Sequence, residues 1–310
     1  MTPFDRMHLV VLSHNRIDCI PRLFDNLLVP AAQKGVQITL VDNASLMDLR
    51  NYLAGYRTVE NLEIILNERN EGVAKGRNLG FMRSNREFVV YIDDDSLIEM
   101  HDLAKVPALF DALHVAGILA FRVVHGETGD AQNEHGDSRV FVGNFHGAGH
   151  AIRRSLFDQI GYLDEECFFG AEEIEYSMRA QTVGMRTIYT PEITVRHFSL
   201  LRSGRENLQR RINWVKNYAM VLFRYLPTAT AFLFCCRLFL SYMVYGLPQL
   251  GCNSFQLVPA MLIGARKGVC SKNRLNRKAI DFYRDPATRP DLGNVSVMSK
   301  LVRFLKRLSV

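Results

Sequence analysis

Three consecutive carboxylates, Asp93, Asp94 and Asp95, follow directly on the run Phe88-Val89-Val90-Tyr91-Ile92. Five apolar residues in a row, mostly β-branched or aromatic, read as a strand buried on both faces. Such strands belong to parallel sheets flanked by helices. In open α/β sheets ligands bind beyond the carboxyl ends of the strands, where these aspartates fall. Three carboxylates cannot crowd there cheaply; solvent, protonation or a divalent cation must relieve their repulsion. An Asp-x-Asp in that position suits a Mg²⁺ or Mn²⁺ that also touches a diphosphate. An acidic turn capping the next helix is the alternative reading.

The amino-terminal two thirds repeats the same grammar. His8-Leu9-Val10-Val11-Leu12 reads as a strand ended by Ser13-His14-Asn15-Arg16. Ile17, Ile20, Leu23, Phe24, Leu27 and Leu28 then recur at helical spacing. Residues 36–41 form a second strand, ended by Asp42-Asn43-Ala44-Ser45, and residues 62–66 a third, ended by Asn67. A glycine-punctuated helix opens near Glu71-Gly72 and runs to about Ser84 before the Phe88 strand. Alternating strand and helix predicts right-handed parallel βαβ units. Each strand ends in a polar cluster on one edge of the sheet, the geometry of a nucleotide site.

Those clusters carry a resemblance. Ser13-His14-Asn15-Arg16, Val41-Asp42-Asn43-Ala44-Ser45 and Asn67-x-x-Asn70-x-Gly72-x-Ala74-x-Gly76-Arg77-Asn78-x-Gly80 resemble the ordered motifs of inverting family 2 glycosyltransferases of GT-A fold. The stretch Phe168-Phe169-Gly170-Ala171-Glu172-Glu173-Ile174-Glu175-x-x-x-Arg179 resembles the family's acceptor-side acidic motif, and His197, with Ser199 and Ser203, its downstream histidine element. More loosely, Trp214 and Lys216-Asn217 resemble the tail of rhamnosyltransferase-like members. The resemblance implies a GT-A domain over residues 1–203, a Rossmann-like, mostly parallel sheet flanked by helices, and a helical extension over residues 204–310. It implies a metal held by Asp93, Asp95 and His197, and a nucleotide-sugar donor held by Ser13, Asn15, Arg16, Asp42, Asn43, Arg77, Asn78 and Asp94. Glu173 takes the role of catalytic base, with Glu172 as the alternative, because family members carry Asp where Glu173 stands.

The residues also make chemical sense singly. Asp42 can accept hydrogen bonds from a base or ribose, or close an Asx-turn on its own backbone. Gly72, Gly76 and Gly80 share one helix face and permit close approach of backbone to sheet or ligand. Inversion at an anomeric carbon needs a carboxylate opposite the leaving diphosphate to take the acceptor's proton, and acids at a helix start would equally favour the helix dipole. His197 can complete a metal shell beside Asp95 or pair with a diphosphate, and Arg202 and Arg205 can offset leaving-group charge. Gly147-Ala148-Gly149 reads as a small-residue strand flanking an acceptor pocket.

Charge divides the chain. Residues 196–310 hold 20 of the 38 Lys and Arg but 4 of the 32 Asp and Glu, a net +16, leaving −10 for the first 195 residues. A basic region beside an acidic one calls for an anionic partner. No helix-turn-helix, zinc-finger or RNA-recognition pattern is present, so nucleic acid is not expected. Residues 228–247 are almost wholly apolar and of bilayer-spanning length, yet Arg237 at their centre costs about 2.5–3.5 kcal/mol on insertion. Thr230, Arg237 and Ser241 form one polar stripe. A helix lying in the membrane interface, or a hairpin with residues 255–264, is therefore expected over a span. Met298, Leu301, Val302, Leu305 and Leu308 share a face among Lys300, Arg303, Lys306 and Arg307, which predicts a basic amphipathic helix adhering to an anionic leaflet. Six cysteines without Cys-x-x-Cys spacing, and no leader-like start, suit a cytoplasmic protein peripheral at the inner membrane face. A lipid-linked glycan is the expected acceptor. Two other classes stay open: a nucleotide-sugar-binding scaffold without catalysis, and a metal-dependent phosphohydrolase, whose Asp-x-Asp normally follows the first strand.

Overall fold

The computed structural model describes residues 2–83, 85–133, 135–199 and 204–285. Its contacts divide the chain into two compact units, Met1–Phe168 with Glu175–Leu200, and Phe169–Ile174 with Leu201–Val310. The six residues Phe169–Ile174 thus belong with the carboxyl-terminal part. The expected terminal helix near residues 298–308, together with Arg202 and Ser203, lies outside the described residues.

The first unit is a three-layer α/β structure. Its strands are β1 (Met7–Ser13), β2 (Gln37–Asp42), β3 (Leu62–Leu66), β4 (Phe88–Asp93), β5 (Ser96–Ile98), β6 (Ala116–His125), β7 (Val140–Val142), β8 (Gly149–Arg153) and β9 (Arg186–His197). They form one sheet in the order β3-β2-β1-β4-β8-β6-β9-β5, with β7 also on β9. The first four run parallel, as the βαβ reading requires. Beyond β4 the sheet turns mixed, with β8 antiparallel to both β4 and β6 and β6 parallel to β9. Since β1 sits between β2 and β4, the strand order reverses there, and that switch point is where a ligand crevice opens.

Helices cover both faces. A continuous helical stretch follows β1 as α1 (Ile20–Leu23), a π-type turn (Phe24–Leu28) and α2 (Val29–Gln33). Then come α3 (Met47–Ala54), α4 (Val73–Phe81), α5 (Met100–Leu103), α6 (Val106–Ala112), α7 (Arg154–Ile160) and α8 (Glu172–Thr182). Strand alternation sorts the core into two layers: Leu9, Val11, Val90 and Ile92 face one, Val10, Val89 and Tyr91 the other. The glycine stripe of α4 resolves as packing on the sheet: a Cβ at Gly76 would strike the end of Leu12, and one at Gly80 the side chain of Val10. Of Gly147-Ala148-Gly149, only Gly149 enters a strand, β8.

In the second unit α9 (Gly204–Tyr225) is followed by α10 (Thr228–Leu250), α11 (Leu257–Cys270) and α12 (Arg277–Arg284). Among the described residues no helix is long and apolar enough to cross a membrane. The expected α10–α11 hairpin is not the main packing. Instead α11 lies against α9, with Gly264 on the backbone carbonyl of Lys216 and Gly268 on that of Met220. The proposed stripe on α10 also divides: Arg237 is exposed, whereas Thr230 is buried and accepts both Arg284 Nε (3.1 Å) and Nη2 (2.8 Å).

Candidate active site

The site of the first unit is built at the carboxyl ends of β1, β2 and β4, and β9 completes it. Pairing of β1 with β4 sets Leu12 against Asp93, so the acidic triplet lies beside the turn that begins at Ser13. Antiparallel pairing of β5 with β9 sets Ser96 against His197, and the Phe198 N–H donates to the Asp95 carbonyl at 2.7 Å. The sequence suggested His197 by its motif; the register supplies the reason it meets Asp95.

The repulsion of the three carboxylates is relieved by cations and by a proton. Arg16 Nη2 lies 2.9 Å from Asp95 Oδ2, and His197 Nε2 lies 3.2 Å from Asp95 Oδ1. Arg77 Nη2 donates to Asp93 Oδ1 at 3.0 Å and to the Gly147 carbonyl at 2.9 Å. Asp94 is buried and accepts Ser13 Oγ–H (2.8 Å) and the His14 N–H (3.2 Å). Burial, with the Asp95 charge beside it, pushes the Asp94 carboxyl up to about 8, so it holds its proton at neutral pH. Burial also opposes charge on Asp95, but the His197 hydrogen bond and the charges of His197 and Arg16 override it and lower that pKa. His197 is raised in turn: burial works against its cation, and Asp95 outweighs burial.

One atom each from Asp93, Asp95 and His197 lies within 4.8 Å of the others. Side-chain rotation that brings the three together would let them share one divalent cation. Gln132 Oε1 lies 2.7 Å from His197 Nδ1. An amide oxygen only accepts, so Nδ1 carries a proton, and a metal entering the site would displace the proton between Nε2 and Asp95 and take the Nε2 lone pair. The residues fit a divalent cation.

The remaining donor-side residues hold the loops together. Asn15, with φ +54°, donates its N–H to Ser45 Oγ (2.8 Å), and its Oδ1 accepts the Leu46 N–H (2.9 Å). Asp42 is buried; it accepts the Ser45 N–H and pairs with Arg50 Nε at 3.1 Å, the local turn that was its alternative reading. Asn43 knits the β2 end to the entrance of α4 through Asn67, Asn70, Glu71 and Gly72. Asn78 is committed to the backbone of Leu163, accepting its N–H (3.1 Å) and donating to its carbonyl (3.0 Å). Its contacts do not support a donor-binding role. Sequence reasoning missed Arg50, Gln132 and His146. His146 Nδ1 accepts the Ala148 N–H at 3.1 Å, which leaves the proton on Nε2, and its ring centre lies 5.7 Å from that of His197. Both Gln132 and His146 lie in the stretch between β6 and β8, where no periodicity marks them.

In the second unit, Glu172 and Glu173 open α8. Glu172 is buried and Glu173 half-buried, so Glu173 is the more accessible carboxylate. The turn before them is clamped by α9. Asn217 Nδ2 donates to the carbonyls of Phe169 (3.0 Å) and Gly170 (3.2 Å), and Arg210 lies over the Phe169 ring at 4.2 Å. Gly170 has φ +77°, and a Cβ there would run into the Trp214 ring. The Trp214 and Asn217 singled out in the sequence therefore hold the acidic motif. In the first unit Glu175, two residues on from Glu173, is buried and paired with Arg179 at 2.7 Å, a structural pair.

Comparison with known proteins agrees with this construction. The chain is 25% identical over 204 residues to the low-salt glycan biosynthesis hexosyltransferase Agl10 of Haloferax volcanii, covering 58% of this chain and 63% of that protein. It is 22% identical over 195 residues to the dTDP-rhamnosyl transferase RfbF of Shigella flexneri, covering 55% and 62%. The matches thus span less than two thirds of either relative. Among solved structures, the mannosyltransferase PcManGT from Pyrobaculum calidifontis in complex with GDP-Man and Mn²⁺ superposes with a TM-score of 0.59 at 17% identity, over 93% of this chain and 84% of that one. The fold is that of GT-A glycosyltransferases. The description Glycosyl transferase family 2 matches residues 9–175, more than half of the chain, and the chain belongs to that family.

Proposed function

We propose that this protein is a metal-dependent, inverting glycosyltransferase that moves a hexosyl or deoxyhexosyl unit from a nucleotide-diphosphate sugar to a hydroxyl of a glycan or lipid-linked acceptor. The observation that carries the reading is the meeting of Asp93, Asp95 and His197 beside Ser13 and Arg16, at the switch point of the sheet. Relatives that transfer hexose or rhamnose, and a fold neighbour solved with GDP-Man and Mn²⁺, support the donor class. An imidazole beside two carboxylates suits Mn²⁺ better than Mg²⁺, which prefers oxygen ligands alone. When bound, the cation would neutralise charge on the donor diphosphate. Arg16 and Arg77, already beside the acids, bring further positive charge to the same place. Asp42, by its place in the motif at the end of β2, is assigned to the nucleoside end of the donor, with Arg50 of α3 beside it. Glu173 removes the acceptor proton, supported by its greater exposure than Glu172.

Two substitutions separate these roles. Asp95→Asn abolishes cation-dependent donor binding, read by thermal shift with nucleotide-sugars and Mn²⁺, while the unliganded protein stays folded. Donor affinity indifferent to both EDTA and this change overturns the metal assignment. Glu173→Gln lowers turnover by about 10² to 10⁴-fold with donor affinity nearly constant. Full activity in that variant, with loss in Glu172→Gln, moves the base by one residue. Proton NMR of the fresh product reads the anomeric configuration, and retention refutes inversion.

A further inference from the structure

The second unit leaves a helix face without a partner among the described residues. α11 buries Leu257, Ala260, Gly264 and Gly268. Phe255, just before it, and Val258, Leu262 and Ile263 on it are exposed by 57, 37, 65 and 59%. Val258 and Leu262, four residues apart, share one side of the helix, and Ile263 beside Leu262 widens that side into a broad apolar face. Leu262 and Ile263 are followed after one turn by Arg266 and Lys267. From Gly251 to Ile280 the chain has six cations (Arg266, Lys267, Lys272, Arg274, Arg277 and Lys278) and no carboxylate. All six are exposed. On α10, Phe232, Leu233 and Leu240 are exposed with Arg237 among them.

Charge decides what such a face accepts. The chain's own residues 286–310 carry five cations to one carboxylate, so they would bring like charge to it. A second copy pairing face to face would do the same. A bilayer with anionic headgroups offers what neither does: an acyl boundary for Leu262 and Ile263, and negative charge for Arg266 and Lys267. No described helix can span, so the contact lies in the plane of the surface. We propose that the exposed face of α11, with the basic stretch that follows it, docks this protein on an anionic lipid surface. The assignment does not depend on the donor chemistry of the first unit.

Flotation of the full-length chain with phosphatidylcholine vesicles, with and without about one third phosphatidylglycerol, tests it. The intact protein floats with the anionic vesicles at low salt and is released by added salt. Leu262→Gln with Ile263→Gln weakens partitioning at least about tenfold through lost apolar burial. Arg266→Gln with Lys267→Gln weakens it by about fivefold per residue and blunts the salt dependence. All four side chains are exposed, so circular dichroism and donor-induced thermal shift stay as in the parent. An intact chain that ignores anionic vesicles overturns the proposal, as does a Leu262/Ile263 variant that floats like the parent. Self-association of the parent that this variant abolishes also overturns it, in favour of a second copy as the occupant.

Discussion

Gln132 is a small residue choice with a large chemical consequence. Its amide oxygen accepts a hydrogen bond from the Nδ1–H of His197, fixes the ring, and so keeps Nε2 facing Asp95. A histidine free to choose its tautomer would present the lone pair to the cation only part of the time, and its ring would turn. Supporting residues of this kind are worth about 10- to 100-fold in metal affinity. Gln132→Leu is therefore expected to weaken Mn²⁺ binding by about that factor, measured by calorimetry, and Gln132→Glu, which still accepts from Nδ1, to recover most of it. Equal affinity in all three proteins would remove Gln132 from the site. Asp93 and Asp95 were legible in the sequence because they follow an apolar run, and His197 because it falls in a recognisable motif. Gln132 was not, because its role exists only once β6 and β9 pair and carry two distant loops together. Asp42 shows the opposite case: its motif position was clear, yet the structure gives its carboxylate a local turn and Arg50 as partners.

At the scale of elements, hydrophobic runs carried most of the fold. Residues 62–66 were read as a strand and form β3, and the three other parallel strands differ by a residue or so at their ends. The strands beyond β4 were harder, since mixed pairing leaves no βαβ rhythm to follow. Helix partners were harder still. Length, apolarity and the central Arg237 suggested that residues 228–247 lie in a membrane interface or form a hairpin with residues 255–264, and against the hairpin the glycines of α11 decide. Gly264 and Gly268, one turn apart, bring its backbone onto α9, and that Gly-x-x-x-Gly spacing was the readable signal. Ala exceeds Gly in helix propensity by about 1 kcal/mol, so Gly264→Ala in an isolated helix would stabilise. Here a Cβ would meet the backbone carbonyl of Lys216, which cannot rotate away as a side chain can. Overpacking of this sort costs about 1–3 kcal/mol. Gly264→Ala should thus destabilise the second unit on balance, seen as an earlier urea midpoint. A later midpoint would mean that α11 does not approach α9 this closely.

The whole molecule keeps several histidines neutral in its interior, and that sets its response to acid. His8 on β1 is fully buried; its Nε2 lies 2.9 Å from Thr39 Oγ1, and its Nδ1 has no hydrogen-bond partner. Burial, reinforced by the charges of Arg154 and Arg86, pushes it down to about 3. Burial likewise takes His146 to about 4 and His150 well below its ordinary value. In the unfolded chain each titrates near 6.5. At pH values between the folded and unfolded pKa, the unfolded chain binds protons that the folded one refuses, so stability is intact above about 6.5 and falls as the pH drops below it. Each such group contributes a slope of about 1.4 kcal/mol per pH unit in that window. His8 is the cleanest one to test, because it lies near the start of β1, at the end opposite Ser13, and its hydrogen bond goes to Thr39, outside the site. His8→Gln keeps a polar group toward Thr39 but cannot take up the proton. The variant is expected to be less stable at neutral pH, since a flexible amide fits the site less well, yet to lose stability more slowly toward acid. The difference in slope between the two proteins should be about 1.4 kcal/mol per pH unit below pH 6, from urea denaturation at a series of pH values. Carboxylates that also titrate are common to both and cancel in the comparison. Parallel curves would show that His8 is protonated in the folded state, and that the core around β1 is wetter than its burial implies.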